Sequence, residues 1–291
     1  MIEGKRSVHG IGIGLRQAIA EPLFEAEQLP PLAFVEIHPE NYVRRGGRFR
    51  GMLERAQARW PILTHGLTLG LGAVEPADPS YVAALKRLLT QLNAPWHSEH
   101  LCFSGVDGVM THDLLPLPFR HETVRVVVAR VRELQDALER PVAIENISYY
   151  AHPGVAEMDE AQFLLEVLEG CDAKLLLDVN NVYVNSRNHG FDPLKFLERM
   201  PAERIVQLHV AGHSQRTVRG SAAGARQLLI DTHGAALRDE VYELLGHVLA
   251  RVGPVPVLLE RDQNFPPFQE LCAELQRLHQ LYSCSIGASW A

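Results

Sequence analysis

The sequence predicts a single (β/α)8 barrel over residues 1–291, and two observations lead to this prediction. Eight short apolar segments alternate with longer segments whose apolar residues recur at helical spacing. Most of the short segments are rich in Val, Ile and Leu on both faces, which is typical of parallel strands buried between helices. A chain of 291 residues with 46% hydrophobic residues can build one large core of this kind.

Each predicted strand lies in one of the short apolar segments. In chain order these are HGIGIGL (9–15), AFVEIHPE (33–40), PILTHGL (61–67), PWHSEHL (95–101), PVAIENIS (141–148), AKLLLDVNN (173–181), RIVQLHVAG (204–212) and PVPVLLERD (254–262). An open, doubly wound sheet is the alternative fold. That fold favours a G-x-G-x-x-G turn after an early strand, and the first segment does not match this motif.

The helical segments carry recognisable end signals. Three of them start at Asp78, Asp159 and Asp192, and each aspartate is expected to cap its helix. Gly170 is expected to end the second of these helices.

Composition excludes several classes of protein. The net charge of −7 provides no bulk attraction to nucleic acid, so a nucleic-acid partner is not expected. No apolar run is long enough to cross a bilayer, and the N-terminal residues lack the features of a signal peptide. We therefore expect a cytoplasmic protein without a membrane partner. The four cysteines form no C-x-x-C pair, which argues against an iron–sulfur or structural zinc site.

Ionisable residues stand at the ends of six consecutive predicted strands. Because strand ends converge on one face of a barrel, these residues are expected to surround one cavity. They are His65, Glu99 with His100, Glu145, Asp178, His209 and Glu260. Asp231 and His233 follow strand seven, and alternation along an extended segment would place both on the same side. His97 is interpreted as facing away from Glu99, toward the helices or solvent.

Carboxylates and imidazoles packed together in a dry core need a partner, and divalent cations provide one. Even without Glu99, the eight remaining groups exceed the four to six ligands of a single ion. The pattern therefore predicts two or three metal ions, with a carboxylate such as Glu145 as a bridge. Zinc, iron and manganese all accept mixed nitrogen and oxygen ligands. Any one of these residues alone could be structural, but six successive strand ends favour a metal centre.

The motifs that carry these residues resemble those of a known family. They are FVEIHPENY, THGLTLGLG, SEHL, IENIS, LLLDVNNVYVN, QLHVAGH, DTHG and LLERD. In order and over nearly the whole chain, they resemble the multinuclear non-heme iron-dependent oxidative enzymes, once called domain of unknown function 692. The methanobactin-biosynthesis oxidase and related enzymes that modify peptide cysteines belong to this group. The resemblance implies a TIM barrel of the xylose-isomerase and endonuclease IV type.

The resemblance also implies a cofactor and a ligand set. Two or three iron ions, mixed Fe2+ and Fe3+, would use O2 as co-substrate, with zinc as a possible replacement. The implied ligands are His65, His100, Glu145, Asp178, His209, Asp231, His233 and Glu260. Asn181 stands where endonuclease IV has a histidine, and its amide oxygen would make a looser third site. The implied substrate is a cysteine of a ribosomally synthesised precursor peptide, and a separately encoded partner commonly recognises the leader.

Further residues are candidates for catalysis and substrate binding. Glu36 is a candidate base beside the ligands, Glu99 lies at a strand end, and His213 is a candidate for the substrate-facing side. Two glycine-containing segments after strands two and seven are rich in arginine and are expected to form loops at the mouth. A basic rim there would hold an acidic peptide or partner, although two solvated loops are equally consistent. The rim arginines are Arg44, Arg45, Arg48, Arg50, Arg216, Arg219 and Arg226.

Three other functions remain open at this point. A zinc phosphodiesterase acting on damaged nucleic acid would use a nearly identical ligand set on the same barrel. A metal-dependent sugar isomerase would usually need a lysine near the metals, and no predicted strand end supplies one. A non-catalytic metal-binding protein would not require so complete a ligand set at an open barrel face.

Overall fold

The computed structural model describes residues 8–73, 75–106, 109–220 and 224–287. The strands in these ranges are β1 (Gly10–Gly14), β2 (Phe34–Ile37), β3 (Ile62–Gly66), β4 (His97–His100), β5 (Phe103–Val106), β6 (Val109–Leu115), β7 (Val142–Glu145), β8 (Lys174–Asp178), β9 (Ile205–Ala211), β10 (His213–Gly220), β11 (Gly224–Asp231) and β12 (Pro256–Glu260). The helices there are α1 (Gln17–Glu25), α2 (Arg48–Gln57), α3 (Pro79–Leu92), α4 (His121–Leu138), α5 (Glu160–Cys171), α6 (Val179–His189), α7 (Pro193–Arg199), α8 (Asp239–Val252) and α9 (Phe268–Gly287).

Eight of the strands close into a parallel barrel, which confirms the predicted fold. Their order around the barrel is β1, β12, β9, β8, β7, β4, β3 and β2, and each lies within a predicted segment. Every pair of neighbours in the barrel is parallel, so all eight carboxyl ends lie at the same face. No helix in the described ranges is long and apolar enough to span a bilayer.

Two antiparallel hairpins extend from this face, and neither was predicted. The hairpin β5–β6 follows β4, and the hairpin β10–β11 follows β9. The second contains the arginine-rich segment that the sequence suggested to be a loop. The pair Asp231 and His233 therefore lies where this hairpin returns to the barrel, and not directly after a barrel strand.

The three aspartate caps are confirmed. Asp78, Asp159 and Asp192 each accept a backbone N–H of the first turn of their helix. The predicted stop at Gly170 was wrong, because α5 continues to Cys171 and the left-handed residue is Asp172 (φ 51°). Gly170 has a packing role instead, since a Cβ atom there would lie 2.5 Å from the Val128 side chain on α4.

The barrel interior is apolar at the amino ends of the strands and polar at their carboxyl ends. Phe34, Leu63 and Leu258 are fully buried and form an interior cluster of their own. Gly12 makes room for the Phe34 ring, because a Cβ atom on it would lie 2.5 Å from that ring. Trp96 packs against this cluster and donates a 3.2 Å hydrogen bond to Gln207, where the interior becomes polar. The apolar layer thus forms the floor beneath the ionisable residues.

Candidate metal centre

Strand register brings the predicted residues together at the carboxyl ends. His100 lies opposite Glu145 across β4 and β7, and Asp178 lies opposite His209 across β8 and β9. Side chains alternate along a strand, so these four point to one side. Their exposed fractions are between 0 and 7%, which places them out of contact with bulk water.

The first donor group consists of His65, His100 and Glu145, whose ligand atoms lie within 4.8 Å of one another. Oε2 of Glu145 lies 2.9 Å from Nε2 of His65 and 3.0 Å from Nε2 of His100. Despite these distances, Oε2 has no hydrogen-bond partner with acceptable geometry.

Hydrogen bonds made by Nδ1 of each imidazole explain why Oε2 of Glu145 accepts no hydrogen bond. Nδ1 of His100 donates to the carbonyl of Gly66 at 3.0 Å, so Nε2 is the nitrogen that carries the lone pair when the ring is neutral, as it is in a metal-bound histidine. The Ser98 hydroxyl donates to the carbonyl of Thr64, so it accepts from Nδ1 of His65 at 3.0 Å. The two Nε2 atoms lie 3.1 Å apart. Their lone pairs and the carboxylate then face one another, as metal ligands do.

The second group shares Glu145 and adds Asp178 and His209. Nδ1 of His209 lies 3.4 Å from Oε1 of Glu145 and 3.2 Å from Glu260, without a hydrogen-bond partner. Its Nε2 lies 3.2 Å from Oε2 of the fully buried Glu36. Glu36 therefore holds the N–H of this imidazole and leaves Nδ1 free for a metal, an arrangement common around protein metal sites.

The third group shares Asp178 and adds His233 and Glu260. Nε2 of His233 lies 2.9 Å from Oδ1 of Asp231, and Nδ1 donates to Asp262 at 2.9 Å. Asp231 and His233 approach each other through a turn of the backbone, and not along the extended segment that the sequence predicted. The strand ends at Asp231, and His233 has a left-handed φ of 48°.

Asn181 joins this region from the first turn of α6. Its backbone N–H donates to Oδ1 of Asp178 at 2.6 Å, and its side-chain Nδ2 donates to the Asn146 carbonyl. The remaining oxygen, Oδ1, is buried and has no hydrogen-bond partner. A buried amide oxygen without a hydrogen-bond partner, on a residue whose N–H binds Asp178, has the chemistry of a neutral metal ligand.

Charge in this region is strongly negative. Six carboxylates lie in the donor groups or contact their residues, and Arg16 pairs with two of them, Glu260 and Asp262. The six belong to Glu36, Glu145, Asp178, Asp231, Glu260 and Asp262. Burial, together with Glu145 and Asp231, raises the pKa of Asp178 well above its usual range. Burial opposes protonation of His100, but Glu145 raises its pKa to about 9. Both shifts show that the field of the cluster favours added positive charge, which divalent cations would supply. The residues present therefore fit a cluster of metal ions.

The sequence patterns did not predict the polar helix α6. Its asparagines form hydrogen bonds with the segments that surround the donor groups. Asn185 donates to the Ile147 carbonyl at 2.9 Å and accepts from the Tyr149 N–H at 3.0 Å. With Asn181 and His189, it forms an i, i+4, i+8 row along the segment that follows β7.

A second side of α6 forms hydrogen bonds with the hairpin β10–β11. Asn188 donates to the carbonyl of Leu229 and accepts its N–H, at 2.9 and 3.0 Å. Asn180 donates to Asp231 at 2.8 Å and accepts from Nδ1 of His213 at 2.8 Å. The helix thus ties both flanking segments to the donor groups.

The first residue of α5, Glu160, provides a prediction about pH. Burial raises its pKa to about 8 from the usual 4.5, and it accepts hydrogen bonds from Tyr149 and Asn185. The folded state then holds a proton that the unfolded state loses above about pH 4.5, so stability falls as pH rises toward 8. We expect Glu160→Gln to raise the melting temperature relative to wild type by about 2–4 °C at pH 8 and by less at pH 5. Glu169→Gln, on the exposed face of the same helix, is the control; a pH-independent difference for Glu160→Gln would contradict the prediction.

The structure does not bring Glu99 into the donor groups. Residues two apart on a strand share a side, so separating His97 from Glu99 was wrong: Nε2 of His97 lies 3.3 Å from Oε1 of Glu99. His97 also contacts Thr64, and both it and Glu99 point away from His100, which is adjacent in sequence. Burial, with some repulsion from Glu40, raises the pKa of Glu99 to about 8.

His213 is nearly fully buried beside the third group. Since Asn180 Oδ1 takes its Nδ1 proton, Nε2 carries a lone pair, which has no hydrogen-bond partner. Burial, with help from Arg238, lowers the pKa of His213 to about 4, so the ring is neutral at pH 7.

The first arginine segment lies at the mouth and is exposed, but half of it is helical. Arg44 donates to Ser80, Arg45 lies over the Phe49 ring, and Arg48 and Arg50 belong to the first turn of α2. Arg48 donates to Gln17, and Arg50 pairs with Glu54. Arg216 is exposed on β10, whereas the side chains of Arg219 and Arg226 lie outside the described part of the chain.

Comparison with known proteins shows the family to which this chain belongs. The sequence matches the model of the family described as "RiPP precursor modification enzyme MbnB/TglH/ChrH" over residues 10–283. The chain belongs to this family. Family membership was the expectation from the motifs, and it is confirmed. Members of the family modify precursors of ribosomally synthesised and post-translationally modified peptides (RiPPs).

Relatives cover nearly the whole chain. A UPF0276 protein of Pseudomonas aeruginosa is 46% identical over 275 residues, covering 94% of this chain and 93% of the relative. A UPF0276 protein of Alcanivorax borkumensis is 42% identical over 286 residues, with the same two coverages.

Solved structures share the barrel at low sequence identity. A D-psicose 3-epimerase studied with D-fructose has a TM-score of 0.59 at 10% identity, covering 96% of this chain and 99% of its own. A xylose isomerase-like TIM barrel protein from Mycobacterium smegmatis, in complex with magnesium, has a TM-score of 0.58 at 13% identity, covering 92% and 89%. These likenesses show a xylose isomerase-like TIM barrel.

Proposed function

We propose that this chain is an iron- and O2-dependent oxidase that modifies cysteine residues of a ribosomally made precursor peptide. One observation carries the proposal: three adjoining donor groups share Glu145 and Asp178 in a member of a RiPP-modifying family. Shared carboxylates are what a cluster of two or three ions needs. The ligands would be His65, His100, Glu145, Asp178, Asn181, His209, Asp231, His233 and Glu260.

Iron in these groups would supply a binding position for a cysteine thiolate and redox chemistry with O2. The protein residues supply the surroundings. Glu36 keeps the Nε2 proton on His209 and so fixes which nitrogen faces the cluster. Burial of His65, Glu145 and His209 at 0 to 2% exposure keeps bulk water away from the reacting centre. His213 is neutral and presents a free Nε2, which suits it to accept a hydrogen bond from the substrate.

The arginines at the mouth are proposed to hold an acidic precursor peptide, or an acidic surface of a leader-recognition partner. Arg44, Arg45 and Arg216 are exposed, although the protein as a whole is acidic. Attraction between opposite charges at a rim mainly raises the association rate, and this effect becomes smaller as the salt concentration rises.

The prediction for this rim is a loss of peptide affinity on charge reversal. Arg44→Glu with Arg45→Glu is expected to weaken binding of the precursor by roughly 10-fold at low salt and to flatten its salt dependence. Fluorescence anisotropy with labelled peptide measures both. Arg87→Glu with Arg125→Glu, on the exposed outer helices α3 and α4, is the matched control. Equal affinity and salt dependence in all three proteins would refute a role for the rim.

The test of the proposed function is an activity assay with defined metals. Protein purified without oxygen and loaded with Fe2+ is mixed with the cysteine-containing peptides encoded beside its gene, and then exposed to O2. Mass spectrometry should show a change confined to cysteine that requires both iron and O2 and is absent from Cys→Ser peptides. If the zinc-loaded protein instead cleaves DNA with abasic sites and the iron-loaded protein leaves every peptide unchanged, the hydrolase alternative replaces the oxidase.

The isomerase alternative has less support. The described lysines, Lys86, Lys174 and Lys195, lie on α3, at the start of β8 and on α7. None of them is at the carboxyl end of a barrel strand.

A further inference from the structure

A fourth donor group adjoins the third and shares Glu260 with it. It consists of His38, Glu260 and Asp262, and one ligand atom from each lies within 4.8 Å of the others. Nδ1 of His38 donates to the carbonyl of His65 at 3.0 Å, so Nε2 carries a lone pair. One imidazole and two carboxylates are a ligand set that Mn, Fe, Co and Zn all accept.

This group differs from the other three because a side-chain cation is already seated in it. Nε of Arg16 lies 2.7 Å from Oδ1 of Asp262, and Nη2 lies 3.4 Å from Oε1 of Glu260. The Arg16 side chain is 12% exposed, and a guanidinium keeps its charge at any pH a protein tolerates.

The fold makes room for this guanidinium. A Cβ atom on Gly14 would lie 2.9 Å from Nη1 of Arg16 and 3.0 Å from Cζ, so a larger residue would displace the side chain. The two oxygens of Glu260 therefore have different neighbours. Its Oε1 faces Arg16, and its Oε2 faces Nδ1 of His209 at 3.2 Å.

We propose that Arg16 is a built-in cation that closes a latent fourth divalent-metal site, formed by His38, Glu260 and Asp262. The inference rests on the metal-binding part of the proposed function. Arg16 supplies the positive charge that Glu260 and Asp262 require, and it occupies the space an ion would need. The metal cluster therefore ends at the third group, and Glu260 keeps one oxygen directed at the shared cluster.

The test counts metal ions with Co2+ as the probe. The full-length protein is stripped with a chelator, dialysed against excess Co2+ and then desalted, and cobalt per chain is measured by mass spectrometry together with the visible absorption spectrum. Arg16→Ala should bind one more cobalt than wild type and gain absorption for it. Arg16→Ala with His38→Leu should return to the wild-type count, and Arg16→Lys, which keeps the charge, should match wild type.

The outcomes separate this inference from the proposed function. An Arg16→Ala protein that folds, as judged by thermal melting, but binds as many or fewer ions than wild type would overturn the latent site. An additional ion that persists in the double variant would also overturn it, because His38 would then not be a ligand. Wild-type protein that binds no cobalt would instead refute the proposed metal cluster itself.

Discussion

Glu145→Gln is expected to remove the metal ions proposed for the first and second donor groups, both of which contain Glu145. The two oxygens of Glu145 serve different groups: Oε2 lies 2.9 Å from His65, and Oε1 lies 3.4 Å from His209. Glutamine keeps the size but loses the charge and one donor oxygen. The variant would lose several kcal/mol of transition-state stabilisation by the metal ions. This loss corresponds to a fall in the rate of peptide conversion on the order of 10³-fold. Metal analysis of the purified variant measures the first effect.

Glu99→Gln is the matched control for this change. It alters a carboxyl group of the same size on a neighbouring strand, but one that contacts His97 and not the donor groups. We expect it to retain the full metal content. If Glu145→Gln kept all its ions, or if Glu99→Gln lost as many, Glu145 would not be a bridge between two groups.

Asp178→Asn is expected to give the reciprocal result. Asp178 belongs to the second and third groups but not to the first, so the ion held by His65, His100 and Glu145 should remain. Asparagine caps a helix as well as aspartate does, so α6 should keep its first turn, where Oδ1 accepts the Asn181 N–H.

Stability provides a second measurement for Asp178→Asn. Burial and neighbouring carboxylates disfavour the charge on Asp178, so the metal-free variant should melt at or above the temperature of metal-free wild type. Added metal should raise its melting temperature by less than it raises that of wild type, because fewer ions bind the folded state. Loss of every ion that wild type binds, or retention of every one, would contradict the assignment of Asp178 to two adjoining groups.

Most of the barrel could be predicted because its strands carry a local signal. A buried parallel strand reads as a short apolar run, and a polar residue such as His65 or Asp178 marks the point where it leaves the core. The two hairpins lack that signal. In β10, residues 215–218 are exposed, whereas residues 228–231 of β11 are half-buried. A contact distant in the sequence, from Asn188 of α6 to Leu229, holds β11 in place.

The donor residues could likewise be predicted, but not all of the contacts around them. The orientation of Glu99 could have been predicted from the alternation of side chains along a strand. Glu99 precedes His100, so it faces the opposite side of the strand. The spacing of Asn181, Asn185 and His189 at every fourth residue is a helical signal that could have been found. The contact of Arg16 with Asp262 spans 246 residues, and no local pattern reports a pairing of that separation.

The proposed oxidase activity requires a cluster of iron ions at the carboxyl ends of the barrel strands. The most direct measurement is metal analysis with Mössbauer spectroscopy of protein expressed with 57Fe and purified without oxygen. We expect about two or three irons per chain, partly ferrous and magnetically coupled through shared carboxylates such as Glu145. Stoichiometric zinc without iron, after expression in iron-replete medium, would contradict it.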